Sequence, residues 1–186
     1  GLPTLWPGVA ARRAGLGAEE CGLAWRVRCL TAAASLSSGH AHDHPPAPPL
    51  TVFGDAGWRE LVPDLADLRP PVDYYGPLPA IYGRAAWVLN LTSPLLPAGL
   101  TQRHFDVWAA GGMLVTDATP GLKLFPAELT APVTFRAPTE IREVMARLDR
   151  DPTGREQLRS AWRELILARH TYAHRAAQVL ETLGLT

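Results

Sequence analysis

Short apolar or aromatic runs alternate with amphipathic stretches along most of the chain. The runs fall at Leu50–Phe53, Val72–Tyr75, Trp87–Leu91, Met113–Thr116 and Val133–Phe135, each of a length suited to a buried strand. Between them lie Trp58–Leu68, Pro79–Ala86, Arg103–Ala110 and Thr139–Leu148. In the last of these, Ile141, Val144, Met145 and Leu148 recur at the spacing that lines one face of a helix. Strands alternating with helices predict an α/β fold. Its core is a Rossmann-like parallel sheet, joined by right-handed crossovers and covered by helices on both faces.

The two ends read differently. Residues 1–17 carry no clean period and suggest an arm or irregular start, whereas 18–36 suggest a helix with Leu23, Val27, Leu30 and Leu36 near helical spacing. The prolines of GHAHDHPPAPP, residues 39–49, forbid a continuing helix and mark a surface connection. The expected organisation is an arm, helix and linker over residues 1–49 packed on a domain of residues 50–186. The C-terminus predicts two helices. Asp151 caps the first with Pro152 at its opening position, and Leu158, Ala161, Trp162, Leu165 and Ala168 form its stripe. Thr171 caps the second, which carries Tyr172, Ala176, Val179 and Leu183 and ends at Gly184. Trp162 and Tyr172 are expected in the core.

Composition narrows the class. A chain of 186 residues fits one domain. With 47% apolar and 19% charged residues it is globular. Eighteen basic side chains against eighteen acidic ones argue against a nucleic-acid surface, which needs a basic excess. Cys21 and Cys29 on one helix stand about 12 Å apart along its axis, too far for a bridge, and read as buried thiols in a reducing compartment. No secretory signal and no apolar run of membrane-spanning length is visible, so the expected location is the cytoplasm.

Parallel α/β sheets bind ligands at the carboxyl ends of their strands. That rule selects the loops Gly54–Trp58, Gly76–Pro79, Thr92–Gln102 and Asp117–Gly121. The third is the most informative, running TSPLLPAGLTQRHFDVWAAGG from a strand end into a helix. Gly99 permits a tight turn. Thr101 and Gln102 stand near the helix start, where free N–H groups favour an anion. Arg103 adds a planar cation suited to phosphate, and Asp106, one turn on, is placed to accept from ribose hydroxyls. The alternative is that Arg103 and Asp106 form a surface ion pair of little consequence. Elsewhere, HAHDH at residues 40–44 departs by one spacer from a known metal-binding string and reads as a solvated tract or, less simply, a zinc site. His170 and His174 read as helix capping and packing. No Walker loop, C-x-x-C pair or Ser-His-Asp spacing occurs, and no cofactor or metal is expected.

From Leu50 onward the chain resembles the nucleotide-sugar-binding second half of GT-B glycosyltransferases. The residues that carry the likeness are TVFGDAG, VDYYGPL, AIYGRAAW, VLNLTS and the glycine-containing loop into FDVWAAGG. The chain most resembles the spore-maturation-type glycosyltransferase-like proteins, which join a segment like NLTSPLLPAGLTQRHFDVWAAGGMLVTD to a terminal HTYAHR, here His170–Arg175. The resemblance implies that Asp106 stands in for a ribose-binding glutamate, one methylene shorter. Gly99 matches the glycine that opens the donor loop, and Ala98 replaces an acidic residue that touches the transferred sugar in many retaining members. Arg103, Thr101 and Gln102 would meet the diphosphate, and the backbone around Tyr75, Gly76 and Leu78 the base. Thr92 and Ser93, to which the strand VLNLTS leads, would also bind the donor. The usual opening strand and glycine loop are not recognisable in residues 1–17. Two functions stay open. One is a donor-binding domain that needs an upstream acceptor domain as partner; the other is a noncatalytic module of the same fold that binds a nucleotide or a protein.

Overall fold

A computed structural model describes residues 18–38, 50–93, 96 and 98–185. The predicted arm at 1–17 and the histidine tract at 40–44 lie outside the described residues. In chain order the elements are α1 (Ala18–Ser38), β1 (Thr51–Phe53), α2 (Trp58–Leu61), β2 (Asp67–Arg69), α3 (Leu78–Arg84), β3 (Val88–Asn90) and α4 (Arg103–Ala109). Then follow β4 (Leu114–Asp117), α5 (Ala127–Thr130), β5 (Thr134–Phe135), α6 (Ile141–Asp149), α7 (Pro152–Arg169) and α8 (Tyr172–Thr182). All described strand pairing is parallel. The strands form two sheets, β1-β2 and β3-β4-β5, rather than one continuous run. The fold is an α/β, Rossmann-like one with a helical C-terminus.

Strand β4 explains the layering. All four of its residues are buried, and successive side chains of a strand point to opposite faces. Leu114 therefore joins Val107, Trp108, Trp162 and Ile166 on the face covered by α4 and α7. Val115 joins Cys29, Phe135, Ile141 and Val144 on the face covered by α1 and α6. The first face is held by Trp108 stacked on Trp162, with ring centroids 4.8 Å apart and planes 3° from parallel. Trp162 also donates its Nε1–H to the Leu129 carbonyl at 3.0 Å, so its buried polar edge is satisfied. Helix α1 is the bridge between the sheets. Cys29 packs under the larger sheet, while Ala34, Val27 and Leu30 pack with Val62, Leu65 and Val52 around the smaller.

Several expected elements shift. The stretch Val72–Tyr75 is not a strand. The partner of β1 is β2, in the register Thr51↔Asp67, Val52↔Leu68, Phe53↔Arg69. Pro63 cuts the helix expected over Trp58–Leu68 to the single turn of α2, which frees Leu68 for the sheet. Pro70 and Pro71 carry no N–H and stop the strand there. In α1, Leu23 is exposed and Cys21, Cys29, Ala33 and Ala34 are buried instead. Both cysteines are free thiols, as expected.

The C-terminal caps form as predicted. Asp151 accepts from the Gly154 N–H at 2.9 Å with Pro152 in the first turn, Thr171 accepts from the His174 N–H, and Gly184 takes φ 66° after α8. The apolar positions of α7 centre on Trp162 and Ile166, with Ala168 exposed. Helix α8 buries no residue. Tyr172, expected in the core, is 73% exposed, because capping fixes where a helix starts but not what covers its face.

Glycines test the packing. A Cβ on Gly112 would lie 2.5 Å from the Tyr82 carbonyl oxygen and 2.9 Å from Val107 Cγ1, whereas one on Gly99 would meet only Leu96, at 3.4 Å. Gly99 has no positive φ; among the described residues Gly111 and Gly184 do. Gly112→Ala is therefore expected to cost about 1–3 kcal/mol by overpacking, and Gly99→Ala to stay within about 0.5 kcal/mol. Urea denaturation of the two variants checks this; equal losses would contradict it.

Candidate functional site

The carboxyl ends of β3 and β4 carry polar side chains that continue the alternation of the strands. Thr116 follows Leu114 on the α4 face, and Asp117 follows Val115 on the α1 face. Asp117 is 4% exposed, so its carboxylate has to find donors. Thr92 supplies its N–H at 2.9 Å and its hydroxyl at 2.8 Å to Oδ1. Trp25 of α1 donates Nε1–H to Oδ2 at 3.0 Å. Burial still pushes the carboxyl above its ordinary range, against those hydrogen bonds. Asp117 thus ties α1, β4 and the first residue of the Thr92–Gln102 loop to one point. It also raises the Cys29 thiol, which burial foremost pushes up to about 12, leaving it unreactive.

On the other face a second set of bonds fixes where the loop ends. His104 in α4 is 1% exposed. Its Nδ1 accepts from the Thr101 N–H at 3.1 Å, which places its proton on Nε2, 3.1 Å from the Thr116 hydroxyl oxygen. Asn90 at the end of β3 donates Nδ2–H to the same oxygen at 3.0 Å. Its Oδ1 accepts from the Thr101 hydroxyl at 3.1 Å and from Arg103 Nη1 at 3.3 Å. The loop between these anchors is seated by the Thr119 hydroxyl, which donates to the Gly99 carbonyl at 3.2 Å. Gly121 lies close beneath it, its missing Cβ only 2.8 Å from the Ala98 carbonyl.

A glycosyl transferase-like family model matches residues 26–181. The chain belongs to that family. No curated protein and no solved structure matches it. The match runs from within α1 to the last turn of α8, so Thr92, Asp117, Thr101, His104 and the loop lie inside the span shared with the glycosyl transferase-like family, with Trp25 one residue before it.

The structure gathers part of the predicted set. Thr92, Thr101 and Arg103 belong to one network through Asp117, Thr116 and Asn90, the two sets meeting where the Thr116 hydroxyl donates to Asp117 Oδ1 at 3.5 Å. Ser93 follows at the loop start and accepts from the Leu96 N–H at 2.9 Å. Gln102 turns to the Tyr172 hydroxyl at 3.3 Å. Arg103 and Asp106 do not form the surface ion pair held open by the sequence, since Asp106 Oδ2 accepts from the Tyr74 hydroxyl at 2.7 Å. Helix α4 is only seven residues long and the Thr101 N–H is already used. Phosphate recognition there would fall to Arg103 more than to a helix terminus. Tyr75 is 91% exposed and Gly76 is exposed beside it, while Leu78 packs against the core. His170 ends α7 and His174 lies in α8, so they do not share a continuous helix. His170 sits against Phe105 and Phe125 and takes a hydrogen bond from Arg175. Among the described residues no group of three His, Cys, Asp or Glu side chains could hold a metal, and no helix is long and apolar enough to cross a membrane.

Sequence reading missed Asn90, His104, Thr116 and Asp117. The signal available was a polar residue inside an otherwise apolar strand, as in VLNLT and MLVTD, because a buried amide or carboxylate needs a partner.

His104 makes the network pH-sensitive. Burial lowers it to about 4, whereas the unfolded chain titrates near 6.5. Between those values the unfolded state binds the extra proton. The contribution is whole above about pH 6.5 and lost as pH falls through about 4, roughly 3 kcal/mol in all. His170, lowered by partial burial, acts in the same direction. Asp117, raised, acts in the opposite one, gaining as pH falls through its folded value. Urea midpoints from pH 7.5 to 4.5 are expected to fall for the native chain and to fall much less for His104→Gln; parallel profiles would show that His104 is not the group responsible.

Proposed function

We propose that residues 50–186 form the nucleotide-sugar donor domain of a GT-B glycosyltransferase of the spore-maturation type, with residues 1–49 as its arm, helix and linker. The observation that carries this reading is the position of Arg103. Asn90 holds its guanidinium at the carboxyl end of β3, where parallel α/β folds bind their ligands, and Tyr82 Oη lies 3.4 Å from its Nε. A planar cation there suits a diphosphate. During sugar transfer it would stabilise the charge left on the diphosphate as the bond to the sugar breaks. Thr92, Ser93, Gly99, Thr101 and Gln102 would border the phosphates and sugar, Asp106 would receive the ribose, and Tyr75, Gly76 and Leu78 would border the base. The acceptor would occupy the far side of a cleft completed by a second domain. Free, buried Cys21 and Cys29 accord with a cytoplasmic setting.

Ala98 supports the second reading, a noncatalytic module, since the loop has no acid at that position to meet a transferred sugar. Thermal melts with UDP, GDP, ADP, TDP and CDP separate binding from its absence. One of them is expected to stabilise the chain by about 2.7 kcal/mol at a hundredfold excess over Kd. Arg103→Ala is expected to weaken that diphosphate strongly and its free nucleoside hardly at all, and to flatten the salt dependence of binding. Equal weakening of both ligands would make Arg103 a scaffold of the loop. No shift with any of the five at millimolar concentration would favour the noncatalytic module binding a protein.

A further inference from the structure

A carboxylate turns about its terminal torsion with little preference, so a half-buried aspartate such as Asp106 has no fixed direction of its own. Asp106 is given one by Tyr74, whose hydroxyl donates to Oδ2 at 2.7 Å, a length typical of a hydrogen bond to a charged acceptor. The phenol is correspondingly pushed well above its ordinary range, first by that bond, and the nearby Tyr172 adds to the shift. Tyr74 comes from the loop between β2 and α3, far from α4 in sequence. Its ring is braced edge-on by Tyr75, 5.0 Å between centroids and 88° between planes. The loop itself is pinned by Asp73, whose Oδ1 accepts from the Tyr75 N–H at 3.3 Å. The Tyr172 hydroxyl, at the start of α8, accepts from Gln102 Nε2 at 3.3 Å.

A carboxylate offers about four acceptor positions. Tyr74 takes one of those on Oδ2, and among the described residues no other donor meets the group. Oδ1 and the second position on Oδ2 remain for two further hydroxyls on neighbouring carbons. We propose that Tyr74 is a positioning residue for ribose recognition. It fixes the Asp106 carboxylate so that its open positions accept a vicinal diol, and it thereby makes the domain selective for ribonucleotides over deoxynucleotides. This inference rests on the donor-site reading of Asp106 above.

Calorimetric titration of UDP, GDP, ADP and CDP against their 2′,3′-dideoxy analogues tests it, using the native chain, Asp106→Asn, Tyr74→Phe and the double variant. Tyr74→Phe keeps the ring and its contact with Tyr75, and its melting temperature without ligand shows that the fold is intact. Asp106→Asn is expected to weaken the ribonucleotide about tenfold and to leave the dideoxy analogue unchanged. Tyr74→Phe is expected to weaken the ribonucleotide alone, by about three- to tenfold, with little further loss when Asp106 is already Asn. If Asp106→Asn discriminates but Tyr74→Phe has no effect, tightens binding or weakens both analogues equally, the positioning role is wrong while the donor site stands. If Asp106→Asn does not discriminate, or none of these diphosphates binds the native chain, the ribose reading fails and this inference fails with it.

Discussion

A carboxylate shut away from water has to be met by hydrogen-bond donors, and Asp117 meets that requirement with groups drawn from three parts of the chain. Thr92 reaches it from the end of β3 and Trp25 from α1, while Asp117 itself closes β4. Removing any of these would leave a buried polar group unsatisfied, which costs more than the bond itself contributes. The start of the Thr92–Gln102 loop is therefore set by the same atoms that dock α1 on the sheet. The end of that loop is set in the same manner on the other face, where buried, neutral His104 links Thr101 to Thr116. Both ends of that loop are thus anchored by buried polar groups.

Around these polar points the packing is apolar and two-sided. Strand β4 sends Leu114 to the tryptophan pair Trp108 and Trp162, and Val115 to Phe135, Ile141 and Val144. Close backbone contacts lock α4 to its neighbours, with Gly112 against the Tyr82 carbonyl and Gly83 against the Ala110 carbonyl. The exposed ends of the same elements then become the candidate site of this glycosyl transferase-like domain. Arg103 leans back on Asn90, Asp106 meets Tyr74 and Gln102 meets Tyr172. The bonds of Asp106 and Gln102 are exposed, whereas that of Arg103 to Asn90 is partly buried, so the first two are expected to open more readily.

Legibility in the sequence followed the range of the interactions. Strands β1, β3, β4 and β5 and helices α1, α3, α4, α6, α7 and α8 could be read because their signals are local: apolar runs, helical spacing, Asp151 before Pro152, Thr171 before His174. The stretch Val72–Tyr75 looked like a strand for the same local reasons, yet the ladder went to Asp67–Arg69. Pairing is decided by the partner, and Thr51 donates to Asp67 at 2.8 Å across it, which no window on one strand reveals. In the candidate site, Arg103 and Asp106 stood out by their spacing. What each touches did not follow from it.

The sequence by itself determined an α/β chain of alternating strands and helices, the caps of its C-terminal helices, and a polar loop at the end of a strand. All of these arise from residues within about one helical turn of each other. Only the tertiary structure decided that Asn90, His104, Thr116 and Asp117 share one buried network, that Tyr74 rather than Arg103 holds Asp106, and that Tyr172 lies on the surface beside Gln102. A hydrogen bond between residues 32 or 70 positions apart depends on how every intervening element packs. Burial of a side chain likewise depends on what covers it, which for α8 its own apolar spacing could not specify.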